Sequence, residues 1–282
     1  METGFKKRVG ILRGGAGKYY ASSIKKGGEI ILYISENLSD KYKVIDILID
    51  KDYIWHLGGV PINMSDLANK VDVIWNTTHP SFSSILDGLN IPNISISSFY
   101  SKLENDREFL REHMKRVGLN IPRFVISPKT AQEVFRKFGS PWLIKNSNKV
   151  RLIKNFNELS EIISNSDDLI VEEFITGKVA RVHSVRKFRN EEVYNFPLGN
   201  SLGSFSSEEK EKIFSLVKDL HIYIGGMHYL KIDFILTPRG KVYLLQIDGI
   251  PDFKTDSHFS LVCEYIGIKP HSVIEHIFEQ VL

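Results

Sequence analysis

Cysteine is nearly absent from this chain of 282 residues: Cys263 is its one thiol, which excludes an internal disulfide framework. Long hydrophobic runs are missing too. No apolar stretch approaches the ~18 residues that a membrane helix needs, and the opening Met1-Glu-Thr-Gly-Phe-Lys-Lys-Arg8 is charged, with no apolar core of a secretion signal. A strong charge of one sign is the third absence. The 37 basic and 34 acidic residues leave a net +3, too little to point to a nucleic-acid or membrane partner. The hydrophobic share of 42% and charged share of 25% are those of an ordinary globular protein, and the expected location is the cytoplasm. Cys263 sits in an apolar helical stretch and reads as a buried thiol rather than a nucleophile.

What is present is an alternation of strand and helix patterns. Arg8–Leu12 reads as a buried strand, followed by the glycine turn Gly14-Gly15-Ala16-Gly17 and a helix over 19–37. Strands at Lys43–Ile49 and Val71–Trp75, a helix at Ser81–Gly88 and a strand at Ile91–Ser95 follow. Such switching implies a parallel sheet with helices on its faces, an N-terminal α/β domain over 1–95. A central α+β module is expected over 96–172. It holds an amphipathic helix from Lys102 to Val117, a helix at Thr130–Phe138, two strands between Trp142 and Ile153, a helix at Asn157–Ser164 and a strand at Leu169–Glu173. The C-terminal module, 173–282, carries strands at Ala180–Arg186 and Glu192–Phe196, a helix at Ser207–Ile222, a hairpin around Pro238-Arg239-Gly240 and a last helix at 270–281. The fold class is α/β and α+β.

The hairpin is the most telling segment. Asp233 interrupts one apolar run, Lys231-Ile-Asp233-Phe-Ile-Leu236, and Asp248 closes the other, Val242-Tyr-Leu-Leu-Gln246-Ile-Asp248. An unpaired carboxylate costs several kcal/mol to bury. Pairing around the turn sets Asp233 near Gln246, with 246 and 248 on one face. Three oxygen-bearing side chains then suit a hard cation such as Mg²⁺. The alternative is that Asp233 pairs with Lys231 or Arg239 and Asp248 caps a turn. Lys145, ending the run Trp142-Leu-Ile-Lys145, either reaches a phosphate or snorkels at a strand end. Glu172 and Glu173, closing an apolar strand before Phe174-Ile175, form either an exposed junction or a hinge lining an adenosine. The glycine turn matches neither a P-loop nor a dinucleotide fingerprint. It still offers backbone N–H groups to an anionic ligand, and His79 is singled out because it follows a strand of the first domain, where α/β sheets bind ligands. His271 and His276 are five apart and face different sides of a helix; His183, His221 and His228 read as packed or exposed.

In order and spacing, these features resemble the ATP-grasp superfamily, most closely the D-alanine–D-alanine ligases, over nearly the whole chain. The likeness is carried by the Gly14-Gly15 turn, Gly118-Leu-Asn-Ile-Pro122, Lys145, Val171-Glu-Glu-Phe-Ile-Thr-Gly177 and the hairpin 231–251. It implies ATP between the second and third modules, with Lys145 and Arg107 on phosphate and Glu172, Glu173, Phe174 and Ile175 along the adenine. Asp233, Gln246 and Asp248 would hold Mg²⁺, Lys231 would face the tetrahedral intermediate, and Gly14, Gly15 and His79 would meet the substrate. In that family ATP phosphorylates a carboxylate and an amine displaces the phosphate.

Departures from the family pattern accompany the likeness. Arg107 stands for a lysine, Lys231 for an arginine, Gln246 for a glutamate, Val179 for a ribose-binding glutamate and Tyr19 for an acid. The long loop after Lys145 that should cover the phosphates is replaced by Asn146-Ser-Asn-Lys149. Two functions are therefore open: a carboxylate–amine ligase, weakened or with altered amino-acid or peptide substrates, and a non-catalytic nucleotide-binding or scaffold module. A homodimer is an option for either.

Overall fold

The computed structural model describes residues 5–146, 149–166, 169–198, 204–254 and 256–282. The first sheet takes β1 (Lys7–Gly14), β2 (Tyr42–Ile49), β3 (Trp55–Leu57), β4 (Val60–Pro61), β5 (Val73–Asn76) and β6 (Asn93–Ile94), in the order β4-β3-β2-β1-β5-β6. Its β2, β1, β5 and β6 run parallel, and β3 and β4 fold back as an antiparallel edge. β1 is central because Val9, Ile11 and Leu12 are all fully buried, as a strand covered on both faces requires. α1 (Tyr20–Asn37) buries Ser23, Gly27, Ile30 and Ile34, a single stripe at helical spacing; Ile24 and Ile31 stay half-buried at its margins. α2 (Ser81–Gly88) has the bounds the sequence predicts.

The single helix expected over 102–117 is two. Asp106 adopts an extended backbone between α3 (Ser98–Asn105) and α4 (Arg107–Arg116), where its side chain accepts the Phe109 N–H as an N-cap. A short acidic side chain that satisfies the orphan donors of a new helix competes well with continuing the old one. The second sheet, wholly antiparallel, is built from β7 (Phe124–Ile126), β8 (Trp142–Asn146), β9 (Lys149–Ile153) and β10 (Ile170–Glu173) in the order β7-β10-β8-β9. α5 (Ala131–Lys137) and α6 (Phe156–Ser164) cover one side of it. β8 and β9 pair through Asn146 and Lys149, so Ser147 and Asn148, outside the described residues, are the whole connection.

The third sheet holds β11 (Lys178–Arg186), β12 (Val193–Asn195), β13 (Tyr229–Leu236) and β14 (Val242–Asp248) in the order β12-β11-β13-β14, again antiparallel. Gly177 precedes it because a Cβ there would lie 2.3 Å from the Leu236 carbonyl oxygen. α7 (Ser207–Ile224), opened by a Ser206–Glu209 capping box, α8 (His258–Tyr265) and α9 (Pro270–Glu279) complete the chain. No described helix is long and apolar enough to cross a membrane.

The cores tie the modules together unequally. The second sheet has its own, with Val134, Trp142, Ile144, Leu159 and Val171. α3 and α4, which precede that sheet in the chain, instead bury Tyr100, Leu103, Leu110 and Met114 against α7 and the third sheet. Phe253, Phe259, Val273 and Ile277 from the end of the chain pack on Val9, Ile11 and Ile34 of the first sheet and its helix. Cys263 belongs to this last core, and burial pushes its thiol up to about 12.

The buried imidazole of His221 stays neutral. Burial pushes His221 down to about 4, and it is held between Ser184 Oγ at 2.8 Å and the Met227 carbonyl at 2.9 Å. An unfolded histidine takes up its proton near 6.5, so acidification draws protons to the unfolded chain first and stability falls with falling pH. His221 alone should therefore contribute roughly 2 kcal/mol to the stability lost between pH 7 and pH 5 in thermal and urea unfolding. The loss should shrink in His221→Gln; an equal loss in that variant would assign it elsewhere.

Candidate functional site

On β13, Ile232, Phe234 and Leu236 point into the core, which leaves Lys231 and Asp233 on the opposite face. The register sets Asp233 against Gln246, near which the hairpin predicts it, and sets Lys231 against Asp248 and Arg181 of β11 against Asp233. Past Asp233 the register slips, so that Phe234 pairs with Leu244 and Leu245 is extra. This bulge explains the burial along β14. Val242 and Leu244 face the core, then Ile247 does, which turns Gln246 and Asp248 to the side of Asp233.

The carboxylates meet cations there. Asp233, 7% exposed, is gripped by Arg181 through Nε at 2.7 Å and Nη2 at 3.1 Å. Its partner is neither Lys231 nor Arg239; nothing in the hairpin signals a strand 52 residues earlier. Asp248 lies 3.6 Å from Lys231 Nζ and 3.9 Å from Lys26 Nζ of α1, and accepts the Ile250 N–H at 3.3 Å, the turn-capping role of the alternative reading. Among the described residues no three His, Cys, Asp or Glu side chains are gathered as a metal site. The donor set of two carboxylates and the Gln246 amide oxygen still fits one Mg²⁺ completed by phosphate and water, since a carboxylate has lone pairs beyond those Arg181 uses.

Beside this face lies a polar chain that the sequence did not signal. Tyr229 Oη is 2.6 Å from His183 Nδ1, and His183 Nε2 is 2.8 Å from His258 Nδ1 at the start of α8. Burial first, then His258, Lys231 and Arg181, hold His183 well below the usual histidine range, and burial holds the Tyr229 phenol protonated. The phenol thus donates to His183, His183 donates to His258, and the His258 proton rests on Nε2, buried without a hydrogen-bond partner.

Three of the expected nucleotide-binding residues meet on the second sheet, on the face away from α5 and α6. Glu172, 1% exposed, has one oxygen 2.8 Å from Arg107 Nε and 2.5 Å from its Nη2, and the other 2.6 Å from Lys145 Nζ. Leu143 and Phe124 flank Glu172 across the ladder with Leu152 beyond Leu143, Ile170 and Val150 flank Lys145, and Ile126 lies beyond Ile170, which makes the rest of that face apolar. Glu173 turns to Arg123, whose Nη2 is 2.6 Å away and whose hydrogen bonds hold this carboxyl below the usual range. Phe174, 37% exposed, and buried Ile175 follow.

Gly14, Gly15 and His79, far apart in sequence, line one cavity of about 370 Å³ with Tyr19, Tyr53 and Phe82 at the C-terminal end of β1. Gly14 has φ 93°, and a Cβ there would lie 2.1 Å from the Ile49 carbonyl oxygen, so the turn admits no side chain at this point. On the other side of the first turns of α1, Lys25, Lys26 and Glu29 border a second cavity of about 310 Å³ with Asp248 and Asp252.

Residues 202–279 match the family model described as D-ala D-ala ligase C-terminus. The D-alanine–D-alanine ligase of Geotalea uraniireducens (strain Rf4) is 20% identical over 304 residues, covering 96% of this chain and 94% of that protein. Among solved structures, the D-alanyl-alanine synthetase A of Vibrio cholerae superposes with a TM-score of 0.74 at 14% identity, covering 98% of each chain. The D-alanine–D-alanine ligase of Bacillus anthracis, solved with ATP, gives 0.70 at 18% identity over 97% of this chain and 96% of that one.

Removing one member of a buried ion cluster leaves charge uncompensated. Arg107→Ala should destabilise the fold by about 2–4 kcal/mol in urea unfolding, and Lys145→Ala by less, because Lys145 is the more exposed partner. Equal, negligible effects would show that Glu172 does not depend on Arg107.

Proposed function

We propose that this chain, which has the fold of the D-alanine–D-alanine ligases and carries their C-terminal segment, is an ATP-dependent carboxylate–amine ligase. The observation that carries the reading is the third-sheet face. There Lys231, Asp233, Gln246 and Asp248 share one surface because a register slip turns Gln246 and Asp248 away from the core and Ile247 into it.

Roles follow from position. Lys145 and Arg107 present two cations on the apolar face of the second sheet, and Glu172 holds them in place for the phosphates. The strand end at Glu173, Phe174 and Ile175 lines the adenine. Mg²⁺ held by Asp233, Gln246 and Asp248 would offset phosphate charge when bound. The substrate carboxylate, entering beside Gly14, Gly15 and His79, takes the γ-phosphoryl group and ADP leaves. The amine attacks the acyl carbon, inorganic phosphate departs with its electron pair, and the new amide loses one proton. Lys231 faces the oxyanion that forms on the way; its ammonium supplies charge at a point, without the two-pronged contact of an arginine. Such chemistry needs ATP and small amino-acid or peptide substrates, and belongs in the cytoplasm.

ADP release that requires a carboxylic acid, with hydroxylamine trapping the acyl phosphate as a hydroxamate, tests the reading. Intact ATP binding with no ADP release from any acid would favour a nucleotide-binding module instead. Lys145→Ala should weaken ATP binding by about 1.5–3 kcal/mol, the scale of a charge-assisted hydrogen bond. Gln246→Glu restores a third carboxylate and should raise Mg²⁺-dependent ADP release; a lower Tm with unchanged release would count against the metal assignment.

A further inference from the structure

We infer that the acid substrate of this site enters without a free amino group, as an N-acylated amino acid, a peptide end or a hydroxy acid. The inference rests on the ligase reading above and on the chemistry of the cavity at the C-terminal end of β1. That cavity is lined by the glycine turn and by the rings of Tyr19, Tyr53, His79 and Phe82, and among the described residues no aspartate or glutamate lines it.

Asp52, next to Tyr53, is exposed and does not line the cavity, and two acids of β2 and its end are engaged. Asp50, three residues before Tyr53, accepts the N–H groups of Asp52 and Ile54, both at 2.9 Å, and lies 2.9 Å from His56 Nε2. Asp46 on β2 is bound two-pronged by Arg13 at 2.6 and 2.7 Å. Besides the hydroxyls of Tyr19, Tyr53 and Ser81, the wall offers the imidazole of His79. Its Nδ1 accepts the Ser81 backbone N–H at 3.2 Å, which leaves the proton of the neutral ring on Nε2 as a donor. Its ring packs 5.5 Å from that of Tyr19. A primary ammonium carries three donors and a charge, and gives up strong hydration on entering a site without an anionic partner. An acyl or hydroxyl group meets the rings and the donor without that loss. The covalent step is unchanged: the carboxylate oxygen takes the γ-phosphoryl group, ADP leaves, and the nucleophile displaces inorganic phosphate and sheds a proton.

The test uses the full chain with ATP and Mg²⁺, and hydroxylamine as the nucleophile, so that no second amino acid enters the comparison. D-alanine, N-acetyl-D-alanine, D-lactate and N-trimethyl-D-alanine are compared by kcat/KM for ADP release. The expected result is at least a tenfold preference for N-acetyl-D-alanine or D-lactate over D-alanine. Tyr53→Asp should narrow or reverse it; this position is exposed and its φ of 62° suits aspartate, so the variant should fold. Tyr19→Glu is the second variant and should act in the same direction. A preference for D-alanine overturns the inference, as does one for N-trimethyl-D-alanine, whose cation would sit against the rings. If no acid releases ADP, the ligase reading fails and ligand-observed NMR on the same four acids decides the inference separately. Stronger saturation of N-acetyl-D-alanine or D-lactate, lost in Tyr53→Asp, supports it, and stronger saturation of D-alanine overturns it.

Discussion

Glu172 is a carboxylate withdrawn almost completely from water, and the arrangement of the modules turns on how it is paired. Its cations come from different bodies. Lys145 belongs to the neighbouring strand of the same sheet, whereas Arg107 opens α4, whose Leu110 and Met114 are buried in the core of the third sheet. The ion cluster therefore bonds the second module to the third. A buried pair adds little stability over an apolar equivalent, but it is costly to break, so it acts mainly on geometry. Asn120 reinforces the junction where the chain passes between the modules: it accepts the Leu244 N–H at 2.8 Å and runs beside β14 at Tyr243.

The third sheet obeys the same rule. Each carboxylate that faces away from its core has a cation beside it, Arg181 for Asp233 and Lys231 with Lys26 for Asp248. Lys26 is on α1, so the first module supplies part of that balance. The longer Asp248 contacts are those a ligand's charges can rearrange, while the short bidentate Arg181–Asp233 contact is a fixed wall. Next to it, the Tyr229–His183–His258 chain is neutral throughout and ends on a buried N–H donor. The face thus combines movable charge with fixed dipoles, the combination that acyl transfer uses.

Local signals carried most of the fold. Pro238-Arg239-Gly240 between two apolar runs marks the hairpin, and period-two reasoning from it places Asp233 opposite Gln246. The strand–turn–helix start and α2 were equally legible. What escaped depends on contacts between distant segments. Arg181 reaches Asp233 only because β11 lies beside β13, and no spacing in the chain encodes that. The membership of α3 and α4 in the third core is likewise a packing outcome, since amphipathic helices do not name the sheet they cover. The break at Asp106 escaped too, because the charged run around it reads as one helix. The bulge at Leu245 left no glycine or proline to announce it. At the site, Gly14, Gly15 and His79 do share a cavity, and Arg107, Glu172 and Lys145 do meet. The acid-free wall of that cavity came from Tyr53 and Phe82, which the sequence offered no reason to single out.

The central claim is that the cations around Glu172 and the carboxylates around Gln246 serve one nucleotide. Calorimetric titration of the intact protein with ATP, in the presence of Mg²⁺ and again with a chelator, tests this most directly. The account predicts saturable 1:1 binding that weakens at least tenfold when the metal is removed. Absent binding, or binding indifferent to Mg²⁺, would contradict it.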